Sequence, residues 1–65
     1  MFAISRIDGQ HDVQMYRTAT GYRVEYGAVE ASHPTLDQAV YHYKAAVNHQ
    51  MTCAGFNDTP ESNND

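Results

Sequence analysis

The chain has 65 residues, 42% of them hydrophobic, and carries four basic against eight acidic side chains. At this length one small domain uses the whole chain, and folding buries only about 60% of the surface that the unfolded chain exposes. The composition therefore argues against a second domain and against a large enclosed substrate cavity, and it predicts a thin core.

The single cysteine, Cys53, cannot form an internal disulfide, which favours a reducing cytoplasm over the disulfide frameworks of small secreted domains. The first residues, MFAISRIDG, lack the basic start and the long apolar run of a signal peptide. No apolar stretch approaches the ~20 residues that a bilayer requires. We therefore expect a cytoplasmic protein without membrane contact.

The closing segment NDTPESNND, residues 57–65, contains no apolar residue and holds three of the eight acids, which predicts a disordered acidic tail. Residues 1–56, the predicted single domain, then carry four basic and five acidic side chains, a net charge of −1. Phosphate neutralisation supplies most of the affinity of nucleic-acid-binding domains. The missing basic excess therefore argues against direct nucleic-acid binding.

Asp8-Gly9 is the first turn signal, because this dipeptide tolerates positive φ and closes two-residue hairpins. A two-residue turn there defines one register, in which the apolar residues of both strands share a face. The predicted pairs are Ile7 with Gln10, Ile4 with Val13, and Phe2 with Met15.

Thr20-Gly21 predicts a second hairpin, which adds a third strand with its apolar residues on the same face. A three-residue loop with Gly21 in a bulge is the alternative, and it would move Tyr16 toward the core. The pairs predicted without a bulge are Ala19 with Tyr22, Met15 with Tyr26, and Val13 with Ala28.

After Ser32-His33-Pro34 the hydrophobic period changes to three and four residues, which predicts an amphipathic helix. Thr35 and Gln38 fit a capping box, and Gly55 fits a left-handed stop at the C-terminal end. Such a helix extends roughly 28–30 Å against about 23 Å for seven-residue strands, so its last turn is expected to extend beyond the sheet. Its predicted core stripe consists of Leu36, Ala39, Val40, Tyr43, Val47 and Met51.

The predicted fold class is therefore α+β: a three-stranded antiparallel meander packed on one C-terminal helix, βββα in two layers. The helix covers one face of the sheet. The residues predicted on that face are Phe2, Ile4, Val13, Met15, Tyr22, Val24, Tyr26 and Ala28.

Catalytic and metal chemistry are not predicted. His42 and His49 lie seven residues apart, whereas helical metal ligands usually lie at i and i+4, and no cysteine pair or HExxH motif adds ligands. We expect these two histidines on the solvent face of the helix, with His11 and His33 beside turns. Cys53 has no basic neighbour in the sequence, so it is interpreted as a buried or half-buried apolar residue. We expect no enzyme activity, no cofactor and no metal.

Two of the five tyrosines are predicted to point outward, Tyr16 from the sheet and Tyr41 from the helix. Tyr16 is expected opposite Glu25 on the exposed sheet face. Exposed tyrosine among mixed polar groups is common at protein interfaces. We therefore predict that Tyr16 and Glu25 contact a partner.

Most acids of residues 1–56 are predicted to gather at one end of the sheet. With three alternating strands, the first turn, the end of the third strand and the helix start share that end. Such acids also stabilise the helix macrodipole, by roughly 0.3–1 kcal/mol each, which is the structural alternative to binding. The predicted acidic pole consists of Asp8, Asp12, Glu30 and Asp37.

In size, mild acidity and lack of a catalytic set, the whole chain resembles the small proteins that phages encode against host defence, including the anti-CRISPR proteins. These proteins share no diagnostic motif, so no residue is carried over. The resemblance implies a stoichiometric inhibitor in the bacterial cytoplasm. It would occupy the DNA-recognition surface of a CRISPR effector complex by DNA mimicry, or block assembly of the complex.

Residues 2–50 are also similar, in element order and in the helix opening HPTLDQAVYHYKAA, to AP2-type and integrase arm-type DNA-binding domains. This resemblance implies insertion of the exposed sheet face into the major groove. That face offers Arg23 as its basic residue where the family pattern has several.

A third hypothesis is a self-associating structural or regulatory subunit. Met51, Cys53 and Phe56 at the helix end, together with an edge strand at residues 1–7, would pair with a second copy. The chain would then be a monomer or a weak homodimer, which is compatible with binding another protein.

Overall fold

The computed structural model describes residues 2–55 and has four strands followed by one helix. The strands form one antiparallel sheet in the order β1-β2-β3-β4, and the helix packs on one face of it. The α+β class with a single C-terminal helix agrees with the prediction, whereas the sheet has four strands instead of three. Phe56 and the predicted tail at 57–65 lie outside the described residues. The elements are β1 (Ala3–Ser5), β2 (Val13–Thr18), β3 (Gly21–Tyr26), β4 (Val29–His33) and α1 (Leu36–Cys53).

The additional strand arises at Gly27, which the apolar pattern placed inside a long third strand. Gly27 has a φ of 59°, a conformation that glycine adopts at little cost, and the chain turns there so that Tyr26 pairs with Val29. β4 then runs back along β3. Because each added strand reverses the chain, α1 begins at the end of the sheet opposite the Asp8-Gly9 turn.

The first hairpin turns at Asp8-Gly9 as predicted, with a φ of 84° at its glycine. Its register is shifted by one residue, because Ser5 and not Ile4 lies opposite Val13. Ser5 therefore faces the helix. The predicted core residues Phe2 and Ile4 are instead 52% and 37% exposed.

The second hairpin turns at Ala19-Thr20, which displaces its register by two residues from the predicted one. A displacement of two keeps each side chain on its predicted face, so Tyr16 stays on the outer side and the bulge alternative does not form. Ala28, predicted in the core, is an exposed turn residue. The buried residues of the inner face are Val13, Met15 and Val24.

Both ends of α1 agree with the sequence signals. Thr35 is the N-cap, and its hydroxyl accepts a hydrogen bond from the Gln38 amide at 3.3 Å. Gly55 follows the last turn with a φ of 84°, as a left-handed stop requires. No helix within residues 2–55 has the length and hydrophobicity to cross a bilayer.

The sheet-facing side of α1 agrees with the predicted stripe only in part: Ala39 is buried, and Val40 and Tyr43 pack against the core. Ala39 and Ala46 are 0% and 6% exposed, so the helix backbone lies close to the sheet, and Gln50 continues the same line. The stripe residues Leu36 and Met51 are 39% and 37% exposed. The stripe residues that lie half-buried at the margin are Val40, Tyr43 and Val47.

Gln50 completes the core at the C-terminal end of α1. Its side-chain amide donates to the backbone carbonyls of Ser5 at 3.0 Å and His11 at 2.8 Å, and its Oε1 accepts from the Ser5 hydroxyl at 2.6 Å. A buried polar side chain is retained when its groups are paired in this way. The β1–β2 loop thus packs on the last turns of α1, which were expected to extend beyond the sheet.

Candidate functional site

The outer face of the sheet, turned away from α1, carries a cluster of polar side chains around one tyrosine. The alternation of side chains along the strands directs them to this face. Strand pairing places Gln14 and Glu30 on either side of Glu25, and Tyr16 beside Arg23. These five residues are named the sheet-face cluster.

Tyr16 lies at the centre of hydrogen bonding in the sheet-face cluster. Its hydroxyl donates toward the side-chain oxygens of Gln14 and Glu25, the latter at 3.4 Å. Desolvation, followed by the charge and hydrogen bond of Glu25, raises the pKa of Tyr16 above 10.0, while Arg23 opposes the change. Tyr16 is therefore a protonated hydrogen-bond donor at neutral pH.

Arg23 connects the two carboxylates that strand pairing places directly opposite each other. Its Nε lies 2.8 Å from Glu25 Oε2 but off the N–H direction, so this contact is a charge pair without a directed hydrogen bond. Its Nη2 donates to Glu30 Oε1. Like charges directly opposite in a sheet are destabilising, and Arg23 compensates them. Two carboxylates and one guanidinium leave the cluster with one surplus negative charge.

The predicted acidic pole forms only in part, because Asp8, Asp12 and Glu30 lie at one end of the sheet and Asp37 does not. Asp8 lies in the β1–β2 turn, whereas Asp37 lies in the first turn of α1 at the other end of the sheet, because β4 reverses the chain before the helix begins. Asp12 pairs with Arg6 at 3.1 Å. Of the six residues predicted to bind a partner, the structure brings together Tyr16, Glu25 and Glu30.

A second cluster lies where β4 meets α1. His33 Nε2 and His42 Nδ1 are 3.0 Å apart. Both side chains are half-buried, so the prediction of a solvent-facing His42 is wrong. Burial, and then the neighbouring His33, lower the pKa of His42 below 6.5. With Asp37 and Tyr41 they line an open groove of about 740 Å³.

Sequence reasoning missed this histidine pair because it missed β4. The alternation of Ala31 and His33 with polar neighbours after Gly27 was the signal that could have revealed the strand. Once β4 pairs with β3, His33 faces the helix. Tyr41 points outward as predicted and is 79% exposed.

The helix end carries a third group of polar contacts. The Tyr26 hydroxyl lies 3.1 Å from His49 Nδ1, and Cys53 Sγ lies 3.7 Å from the same nitrogen. Cys53 is exposed, so its interpretation as a buried or half-buried apolar residue is wrong. Within residues 2–55 no group of three or more His, Cys, Asp or Glu side chains is arranged to hold a metal ion.

Comparison with protein-family models, curated proteins and solved structures gives no match to this chain. Its function is therefore argued from the geometry and chemistry of its own surface. The sheet-face cluster is the strongest candidate because it contains the three predicted contact residues that the fold brings together, Tyr16, Glu25 and Glu30.

Proposed function

We propose that the protein is a stoichiometric protein-binding module that uses the sheet-face cluster to contact a basic surface of its partner. One observation carries this proposal. A donor tyrosine is held among acidic side chains on the sheet face opposite α1, where no other element of residues 2–55 packs.

The internal contacts of the cluster favour binding. Side chains already ordered by hydrogen bonds and ion pairs lose less conformational entropy when a partner docks. Tyrosine and arginine are enriched at the centres of protein interfaces, and the cluster supplies Tyr16 and Arg23. The surplus carboxylate and the chain's net charge of −4 favour encounter with a basic surface.

The carboxylates of the sheet-face cluster fit a partner whose basic surface normally binds nucleic acid. Glu25 and Glu30 would then occupy positions that phosphates take in a nucleic-acid complex. The narrower proposal, from the resemblance to phage anti-defence proteins, is inhibition of a CRISPR effector complex in a bacterial cytoplasm. A single cysteine without a disulfide partner fits that reducing compartment.

The test compares two charge-reversal variants that change the net charge equally. Glu25→Lys/Glu30→Lys alters the sheet-face cluster, and Asp8→Lys/Asp37→Lys alters two acids outside it. Each full-length chain, checked for its fold by circular dichroism, is immobilised and exposed to a lysate that contains a CRISPR effector complex. Captured proteins are identified by mass spectrometry, and the affinity of the purified partner is then measured.

We expect the wild type and Asp8→Lys/Asp37→Lys to capture the same basic protein, and Glu25→Lys/Glu30→Lys to bind it at least about tenfold more weakly, a loss of roughly 1.4 kcal/mol. Equal binding by the two variants would contradict the proposal. Saturable, salt-sensitive binding of a fluorescent DNA duplex by the wild type would instead favour the DNA-binding alternative.

A further inference from the structure

His33 and His42 bring two imidazole nitrogens from different elements to one point. His33 is the last residue of β4, and His42 lies in the second turn of α1. Their rings meet nearly at right angles, with an interplanar angle of 79°, and the facing nitrogens are 3.0 Å apart. Packing of α1 on the sheet holds the two backbone positions, while the side chains line an open groove.

We propose that His33 Nε2 and His42 Nδ1 form a two-imidazole binding site for Ni²⁺ or Cu²⁺. Metal–nitrogen bonds of ~2.0–2.1 Å to two atoms 3.0 Å apart enclose an angle of about 95°. This angle matches neighbouring ligands in square-planar or octahedral coordination, whereas tetrahedral Zn²⁺ needs a separation of about 3.3 Å. Nitrogen and oxygen ligands in tetragonal geometry favour Cu²⁺ and Ni²⁺.

Water molecules from the groove would complete the coordination, since within residues 2–55 no third His, Cys, Asp or Glu joins the pair as a ligand group. Asp37, in the first turn of α1, lines the same groove. Its carboxylate adds negative potential that favours a cation there.

The metal ion would replace the hydrogen bond between His33 and His42, and the proton of that hydrogen bond has another nitrogen to occupy. In the hydrogen bond one of the two facing nitrogens carries a proton, and that proton moves through solvent to the outer nitrogen of the same ring when the ion binds. Each ring then carries its proton on the outer nitrogen, so the change of tautomer releases no net proton.

His49 and Cys53 form the competing pair, because they lie one helical turn apart with Sγ 3.7 Å from the nearer ring nitrogen. A histidine and a cysteine at i and i+4 can also chelate a metal ion. The experiment must therefore distinguish the two pairs.

Isothermal titration calorimetry with NiCl₂ at neutral pH on the full chain makes this distinction. We expect one Ni²⁺ per chain, and an affinity at least about tenfold lower in both His33→Gln and His42→Gln, since losing only a second-shell partner of a ligand already costs 10–100-fold. The matched variants His49→Gln and Cys53→Ser are expected to keep the wild-type affinity. Ni²⁺ should also raise the unfolding temperature of the wild type, because the ion joins β4 to α1 only in the folded state.

Unchanged affinity in His33→Gln or His42→Gln would overturn the proposal. Loss of binding in His49→Gln or Cys53→Ser would also overturn it and place the ion on the helical pair. NMR of the wild type tests the same site without any substitution. Ni²⁺ should broaden the ring signals of His33 and His42 before those of His11 and His49, and the reverse order would refute the site.

Discussion

Gln50 is the fully buried polar side chain among residues 2–55. Its three hydrogen bonds join the C-terminal half of α1 to β1 and to the loop that follows. Leaving a buried donor or acceptor unpaired costs about 1–3 kcal/mol, comparable to the gain from burying a leucine or isoleucine side chain. A single glutamine is therefore strong enough to help determine how β1 pairs with β2.

Substitution of this glutamine tests its energetic role. We expect Gln50→Ala to lower the free energy of unfolding by about 2–4 kcal/mol, because two buried carbonyls lose their donor and a cavity forms. Urea denaturation monitored by circular dichroism measures this change. Gln38→Ala, on the exposed side of the same helix, should change stability by no more than about 0.5 kcal/mol. Equal effects of the two substitutions would contradict the role of Gln50.

The His42 imidazole predicts a pH dependence of stability. Its folded-state pKa lies below the ordinary value of 6.5, so below that pH the unfolded chain binds a proton more readily than the folded chain. Stability should be complete above this value and fall as the pH decreases through it toward the folded pKa. The ionisable groups near the ring are His33, Asp37 and Tyr41.

Urea midpoints measured from about pH 7.5 to about pH 5 test the pH prediction. We expect His42→Gln to flatten the decrease that the wild type shows in this range. His49→Gln, which removes a histidine paired with Tyr26, is the matched control and should keep the contribution of His42. Identical slopes for wild type and His42→Gln would show that another group causes the decrease.

At the scale of elements, Gly21 lies where the ends of β2 and β4 approach the start of β3. It begins β3 opposite the last residue of β2, and a Cβ built on it would lie 2.3 Å from the carbonyl oxygen of His33 at the end of β4. Gly9 also has a positive φ, yet nothing lies within 4 Å of a Cβ built there. An alanine at position 9 would therefore introduce backbone strain alone, whereas an alanine at position 21 would add a steric clash to that strain.

Alanine substitution at the two positions gives an element-level prediction. Gly9→Ala should destabilise the protein by about 1–2 kcal/mol through backbone strain alone. Gly21→Ala should cost more than Gly9→Ala, because β4 must also move away from the new methyl group. Chemical denaturation of both variants measures the difference, and equal losses would show that β4 yields without cost.

The elements differ in how far local signals predicted them. The cap at Thr35, the stop at Gly55 and the Asp8-Gly9 turn follow from short-range chemistry, and all three are present. Gly27 was a weaker signal, because it interrupts an otherwise regular strand pattern without a second turn residue beside it. The structure uses it as a turn, since β4 adds a fourth set of backbone hydrogen bonds and brings Ala31 opposite Val24.

At the scale of the whole molecule, the fourth strand determines which charged groups meet. It places the start of α1, with Asp37, at the opposite end from Asp8, and it brings Glu30 beside Glu25. The negative charge of the sheet-face cluster therefore lies on the outer face, toward the end of the sheet that also holds Asp8 and Asp12. The same strand places His33 in contact with His42 of α1.

The fourth strand also bears on the resemblance to AP2-type and integrase arm-type domains. The described chain has four strands before the helix, which departs from the three-stranded order on which that resemblance rests. Arg23, the basic residue of the sheet-face cluster, is paired with Glu25 and Glu30. Phosphate contacts would have to break these pairs, so a protein partner fits the face better.

Two of the three helix-end residues in the self-association hypothesis are exposed in the structure. Met51 is 37% exposed and Cys53 is exposed, as pairing with a second copy through these residues would require. The third residue of that hypothesis, Phe56, lies outside the described residues. The edge strand β1 spans only three residues, a length that limits pairing with another chain.

The sequence by itself determined the class of fold, the ends of the helix, the inner faces of β2 and β3, and the outward direction of Tyr16 and Tyr41. These features depend on turns, caps and alternation, which act over a few residues. Only the tertiary structure decided the number of strands, the register of β1, the rotation of α1 and the pairing of His33 with His42. The reason is that these depend on distant partners such as Gln50 and His11, 39 residues apart, whose contact no local pattern records.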